Sequence, residues 1–129
     1  MNVLGLHLLV EFGSCNRLKI DDLVYLEEAM TQAAETAGAI ILKTIFQKFE
    51  PHGVSGVIMI SSSHLTIHTW PEHGYAAFDV FTCGQSVNPG KAVDFLKHKL
   101  EAVNIATREF HRGIPPATII RQQFAHTDG

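Results

Sequence analysis

The chain has 129 residues, of which 46% are hydrophobic and 18% charged, with a formal net charge of −3 and a pI near 6.2. Those values describe a single globular domain, residues 1–129, with room for a modest core and no second domain. The ten Lys and Arg residues form no stripe, so nucleic acid and other polyanions are excluded as expected partners.

Met1 to Phe12 holds no apolar run of about 18 residues and no charged-apolar-small secretory pattern, so neither a membrane span nor export is expected, and the location is read as cytoplasmic. Val3 to Glu11 reads as a strand bounded by Gly13-Ser14, with His7 an isolated polar intrusion of structural type. Asp21 can cap a helix reaching Ala37, because Leu23, Leu26, Met30, Ala33 and Ala37 recur at helical spacing and Gly38 supplies a stop. Ala39 to Phe49 and Val54 to Ile60 have strand character, and the breakers Glu50-Pro51-His52-Gly53 between them predict a hairpin. Asn88 with Pro89 starts a second helix, carried by Ala92, Leu96, Leu100 and Val103 to about Asn104. A last strand covers Ile105 to Phe110, and the tail with Gly113, Pro115 and Pro116 reads as a surface arm. The pattern predicts an α+β two-layer sandwich, an antiparallel sheet covered on one face by two helices. Its other face would be a large apolar patch, for which a second copy of the chain is the simplest cover. Cys15 and Cys83 are expected as reduced thiols.

Between the helices lies the densest chemistry. Alternation from His64 places His64, Thr66, His68 and Trp70 on one face and Leu65 and Ile67 on the other, with Pro71-Glu72-His73-Gly74 as the turn. Antiparallel pairing about that turn sets His68 opposite Ala77 and Ser62 opposite Cys83. Three readings of these residues compete. A serine hydrolase would use His68 as base and Asp79 as acid, yet no Gly-x-Ser-x-Gly elbow is present. A metal site would draw on His64 and His68 with His52, His73 or Glu72; but His64 and His68, four residues apart on a strand, are separated by about 13 Å, too far for one ion. No metal is therefore expected. The bland reading makes the serines a strand end, the histidines surface decoration and Cys83 a small buried hydrophobe.

The string as a whole says more than its members. Ser63-His64-Leu65-Thr66-Ile67-His68-Thr69-Trp70-Pro71-Glu72, then Gly74-Tyr75-Ala76-Ala77 and Phe81-Thr82-Cys83-Gly84, closely resembles the prokaryotic pyruvoyl-dependent S-adenosylmethionine decarboxylases. Gly53-Val54-Ser55-Gly56 and Gly5 to Phe12 extend the resemblance to most of the chain.

What the resemblance implies is a proenzyme that cuts itself. The serine matching Ser63 attacks the carbonyl of the residue before it, the ester undergoes β-elimination, and residue 63 becomes a covalent pyruvoyl group, leaving a β chain of residues 1–62 and an α chain of residues 63–129. His68 matches the processing base and Ser55 its partner, and the hairpin and the adjacent Gly53 to Gly56 turn are expected to bring both to Ser63. The pyruvoyl carbonyl takes the substrate amine as a Schiff base and acts as electron sink while CO₂ leaves. Cys83 matches the proton donor, and thiols are largely protonated at neutral pH. Phe49 and His68 match the pair that sandwiches adenine, and Glu72 the carboxylate on the ribose hydroxyls. The implied activity is decarboxylation of S-adenosylmethionine for spermidine synthesis, by a homodimer whose sites are shared across the interface. Family members carry Glu before the cleaved serine; Ser62 stands there in this chain, which sets an expectation of slower or incomplete processing. Arginine or ornithine decarboxylation by the same chemistry, and an unprocessed, non-catalytic homologue, are the alternative readings.

Overall fold

Alternating apolar residues decide where each strand lies, and the helices follow from the face those residues make. In the computed structural model, which describes residues 4–113, the chain runs β1 (Gly5–Gly13), a 3₁₀ turn (Lys19–Asp21), α1 (Leu23–Thr36), β2 (Ile41–Lys48), β3 (Val54–Ile60), β4 (His64–Trp70), a second 3₁₀ turn (Pro71–His73), β5 (Tyr75–Cys83), α2 (Pro89–Leu100) and β6 (Asn104–Arg112). One six-stranded sheet has the order β2-β3-β4-β5-β1-β6, with every neighbouring pair antiparallel. Both helices lie on one face of it. Leu26, Met30 and Ala33 of α1 and Ala92, Leu96 and Leu100 of α2 are buried with Val10, Phe12, Ile58, Leu65, Ile67, Phe78 and Val80 of the sheet. Burying each of the larger side chains is worth roughly 1.5–3 kcal/mol. The predicted two-layer α+β architecture is the one observed.

The differences are at element ends. Asp22, not Asp21, caps α1, its side chain accepting from Tyr25 N–H at 3.1 Å. Asp21 is drawn away to the hairpin between β2 and β3, where it accepts from Gly53 N–H at 2.8 Å. The second helix stops at Leu100 because Glu101 takes a left-handed conformation, φ 55°, and Val103 is exposed rather than part of the apolar stripe. The last strand is longer than Ile105 to Phe110. The arm beyond Gly113, with Pro115 and Pro116, lies outside the described residues.

One close approach holds β2 to β3. The ring of Phe46 rests over Gly56, its register partner, so near that a Cβ there would overlap the ring. Any side chain at residue 56 displaces Phe46 from the core. At the other end of β4, Gly74 closes the turn into β5 with φ 61°, a conformation that costs other residues energy.

Among the described residues no helix lies over the second sheet face. Leu9, Ile45, Val57, Met59 and Trp70 are exposed on this face, Ile45 by 71% and Met59 by 50%. Exposed apolar side chains gathered on one sheet face suit an association surface.

Candidate active site

The sheet register sorts the predicted residues into two groups at opposite ends of the uncovered face. At one end Ser55 lies directly opposite His68, and Ser55 Oγ and His68 Nδ1 share a hydrogen bond of 2.7 Å. Phe49, 47% exposed, follows β2 beside them, and Glu72 is exposed in the 3₁₀ turn that follows β4. Several bonds fix this end. Phe49 N–H donates to Gly53 O at 2.8 Å, and Lys48 Nζ reaches Asp21 Oδ1 at 3.1 Å. The Gly53 N–H bond first, and then Lys48, hold the Asp21 carboxyl below its ordinary value. Thr69, buried beneath, accepts from Val54 N–H at 2.9 Å and donates to Ile20 O at 2.7 Å.

At the other end Ser61, Ser62 and Ser63 turn the chain from β3 into β4. Ser61 N–H donates to Ile40 O at 2.9 Å, and Ile60 N–H to Ser63 O at 2.9 Å. Ser62 Oγ is buried with no hydrogen-bond partner among the described residues. His64 opposite Phe81 is the last pair of the β4–β5 ladder, so Ser63 lies just beyond the sheet at the end where Cys83, still paired with Gly5 of β1, finishes β5. The predicted His68–Ala77 register holds.

The expected meeting of Ser63 with His68 and Ser55 does not occur within one chain. Five residues of extended strand separate Ser63 from His68, which is about 16 Å. Because Ser55 pairs with His68, the turn at Gly53 to Gly56 belongs to the far end as well. Nor does Asp79 serve His68 as a hydrolase acid: its carboxylate accepts from Thr66, from His7 at 2.6 Å and from His64 at 3.0 Å. Burial raises the Asp79 carboxyl, and the bonds from Thr66, His7 and His64 together overturn that and hold it below the ordinary value.

His7, His64 and Asp79 are the histidine-carboxylate group that the fold assembles, and the spacing of His64 and His68 concealed it. The available signal was His7 in an apolar strand and Asp79 alone in the alternating run from Tyr75 to Cys83. Between this group and His68 runs a groove of about 310 Å³, bordered by Leu9, Glu11, Ala77, Ala106 and Arg108. Glu11 and Arg108 carry no motif that marks them in the sequence. Glu11 accepts from the Tyr75 hydroxyl, whose pKa burial and then that carboxylate push up to about 12. Tyr75 in turn stacks on Trp70, ring centroids 5.3 Å apart. Among the described residues no helix is long and apolar enough to cross a membrane.

The chain is similar in sequence and in fold to S-adenosylmethionine decarboxylases. The family model for S-adenosylmethionine decarboxylase matches residues 6–113. The S-adenosylmethionine decarboxylase proenzyme of Clostridium tetani is 53% identical over 114 residues, covering 88% of this chain and 90% of its own. The Thermotoga maritima proenzyme is 51% identical over 113 residues, 88% of this chain and 87% of its own. The crystal structure of the Aquifex aeolicus adenosylmethionine decarboxylase superposes with a TM-score of 0.83 at 35% identity, covering 89% of this chain and 95% of that one. On sequence and on fold, the chain belongs to the S-adenosylmethionine decarboxylase family.

Proposed function

We propose that the protein is a pyruvoyl-dependent S-adenosylmethionine decarboxylase of spermidine synthesis, made as a proenzyme and active as a homodimer in the cytoplasm. The observation that carries this reading is the split site. Ser55, His68 and Cys83 all stand on the face that no helix covers, with Ser63 at its edge, yet the two groups lie a strand length apart. A second copy related by a two-fold axis, with the uncovered faces together, can bring the Ser55–His68 end of one chain to the Ser63–Cys83 end of the other. The exposed apolar residues of that face are the surface such a pairing buries.

The residues present fit a pyruvoyl group at position 63. Ser63 ends a turn rather than sitting inside the ladder, so the bond before it can be strained and attacked without breaking sheet pairing. In self-cleavage Ser63 Oγ adds to the carbonyl carbon of Ser62 while the partner copy's His68, held by Ser55, takes the hydroxyl proton. The C–N bond to residue 63 breaks as the ester forms. Elimination across Cα–Cβ of residue 63 then releases Ser62 as a new carboxylate, and hydrolysis of the resulting enamine releases ammonia. The products are chains 1–62 and 63–129. Once formed, the group supplies a carbonyl that draws off the electrons left behind as CO₂ departs. Cys83 stands at the same sheet end to return a proton to the substrate α-carbon. Phe49 and His68 bracket the adenine, with stacking worth on the order of 1–3 kcal/mol, and Glu72 accepts from the ribose hydroxyls.

Ser62 in place of glutamate favours a second reading, a slowly processed or unprocessed homologue, because a short hydroxyl brings no charge beside the scissile bond. Intact-mass analysis of the purified protein separates the two. The proposal expects two chains cut between Ser62 and Ser63 and CO₂ release from S-adenosylmethionine but not from arginine or ornithine. A single uncut chain that still binds S-adenosylmethionine supports the homologue instead.

A further inference from the structure

Asp79 joins three strands on the uncovered face. Its Oδ1 accepts from Thr66, directly opposite on β4. Its Oδ2 accepts from His7 Nε2 of β1 at 2.6 Å and from His64 Nε2 of β4 at 3.0 Å. A guanidinium nitrogen of Arg112 lies 3.3 Å from His7 Nδ1, and guanidinium groups only donate. His7 Nδ1 therefore accepts, and Nε2 carries the proton that bonds Asp79. With that nitrogen protonated toward Asp79 and the Nδ1 lone pair taken by Arg112, His7 completes a hydrogen-bonded anchor.

His64 is the member of the group next to the cleavage point. Its ring stands edge-on to His7, centroids 5.7 Å apart, and 5.8 Å from Phe81. Residue 64 is also the first of β4 and is bonded to residue 63. While the chain is continuous, the serine turn holds that end of the strand from the other side. Cutting between Ser62 and Ser63 removes the covalent link and makes residue 63 a chain end, and chain ends lose order unless tied down.

We propose that Asp79 is a positioning residue: through His64 it ties down the new start of the α chain after self-cleavage, and so places residue 63 for turnover. The proposal rests on the pyruvoyl reading. Misplacing a reacting group by 1 Å costs on the order of 10²-fold in rate, so loss of the tie is felt in kcat more than in KM.

The test compares Asp79→Asn, nearly isosteric, in two backgrounds: the self-cleaving chain and the uncleavable Ser63→Ala chain. Hydrogen exchange of the amides of residues 64–66 is followed by mass spectrometry, with kcat and KM measured on the cleaved form. In cleaved protein the substitution is expected to speed exchange and lower kcat by about tenfold or more, with KM changed by less than about threefold. In the Ser63→Ala chain, exchange is expected to change by less than about twofold. His64→Ala should reproduce the loss, and His64→Gln, which keeps an N–H donor toward Asp79, should restore part of it. Equal acceleration in both backgrounds, an unchanged kcat, or a harmless His64→Ala overturns the role of Asp79 alone. A parent chain that is never cleaved overturns the pyruvoyl reading, and this role with it.

Discussion

Ser55 Oγ and His68 Nδ1 stand 2.7 Å apart, while Ser63 immediately precedes the opposite end of the strand that carries His68. No rotamer change crosses a gap of about 16 Å, so a site using all three residues needs two chains. Ser63→Ala and His68→Ala should each remain uncut when produced alone. Produced together, the mixed dimer has one complete site: Ser63 from the His68→Ala chain and His68 from the Ser63→Ala chain. The His68→Ala chain should then appear as cleaved fragments in the intact-mass spectrum, and the Ser63→Ala chain should not. A mixture in which both chains stay whole would refute sharing of the site.

In the proposed mechanism Cys83 acts in turnover and not in cleavage. Its strand end lies beside the serine turn, but the acyl shift at Ser63 needs a base, the part proposed for His68. Cys83→Ala should therefore cut itself at a rate within a few-fold of the parent. CO₂ release should fall by about 10²–10⁴-fold, the usual worth of a positioned acid. If CO₂ release falls only because cleavage has stopped, the separate role of the thiol is wrong.

Much of the fold could be read from periodicity. Period-two runs such as Leu65 and Ile67 against Thr66 and His68 set both the strand and its buried face, and a four-residue turn at Pro71 to Gly74 set the register. What periodicity cannot supply is which polar residues on one face meet. Asp79 serves His7, seventy-two positions away in sequence, because β1 pairs with β5 across a connection no local pattern encodes. The gathering of Ser63 with His68 failed for the opposite reason: nearness in sequence along an extended strand is distance in space. Asp21 was misread similarly, since a helix cap and a hairpin clamp want the same carboxylate and Asp22 was there to take the cap.

That clamp has a pH signature. The Gly53 N–H and Lys48 lower the Asp21 carboxyl in the folded state, so it contributes stability that is present above its unfolded pKa, about 3.9, and is lost as pH falls through the lower folded value. Asp21→Asn keeps an acceptor but loses the charge. It should cost about 1 kcal/mol or less near neutral pH, since the site is largely solvent-screened, and the deficit should shrink below about pH 4. Denaturant unfolding of parent and variant from pH 3 to pH 7 measures this. A deficit that is constant across the range would rule out the ionised clamp. The same variant loosens the Phe49 loop, so the KM for S-adenosylmethionine should rise with little change in kcat.

Met59 offers the most direct control over assembly. It lies on β3 beside His64 in the register, half exposed on the face without helices and away from the helix-side core. Met59→Lys leaves an isolated subunit solvated and folded, but sets two positive charges into the proposed face-to-face pairing, where like charges cost several kcal/mol. Light scattering should show a monomer with the parent's circular dichroism, and intact mass an uncut chain of residues 1–129. Raising the protein concentration should recover dimer and cleavage in step, because in the proposed dimer His68 reaches Ser63 only across the interface. A monomeric Met59→Lys chain that cuts itself at the parent rate would place the complete site within one subunit.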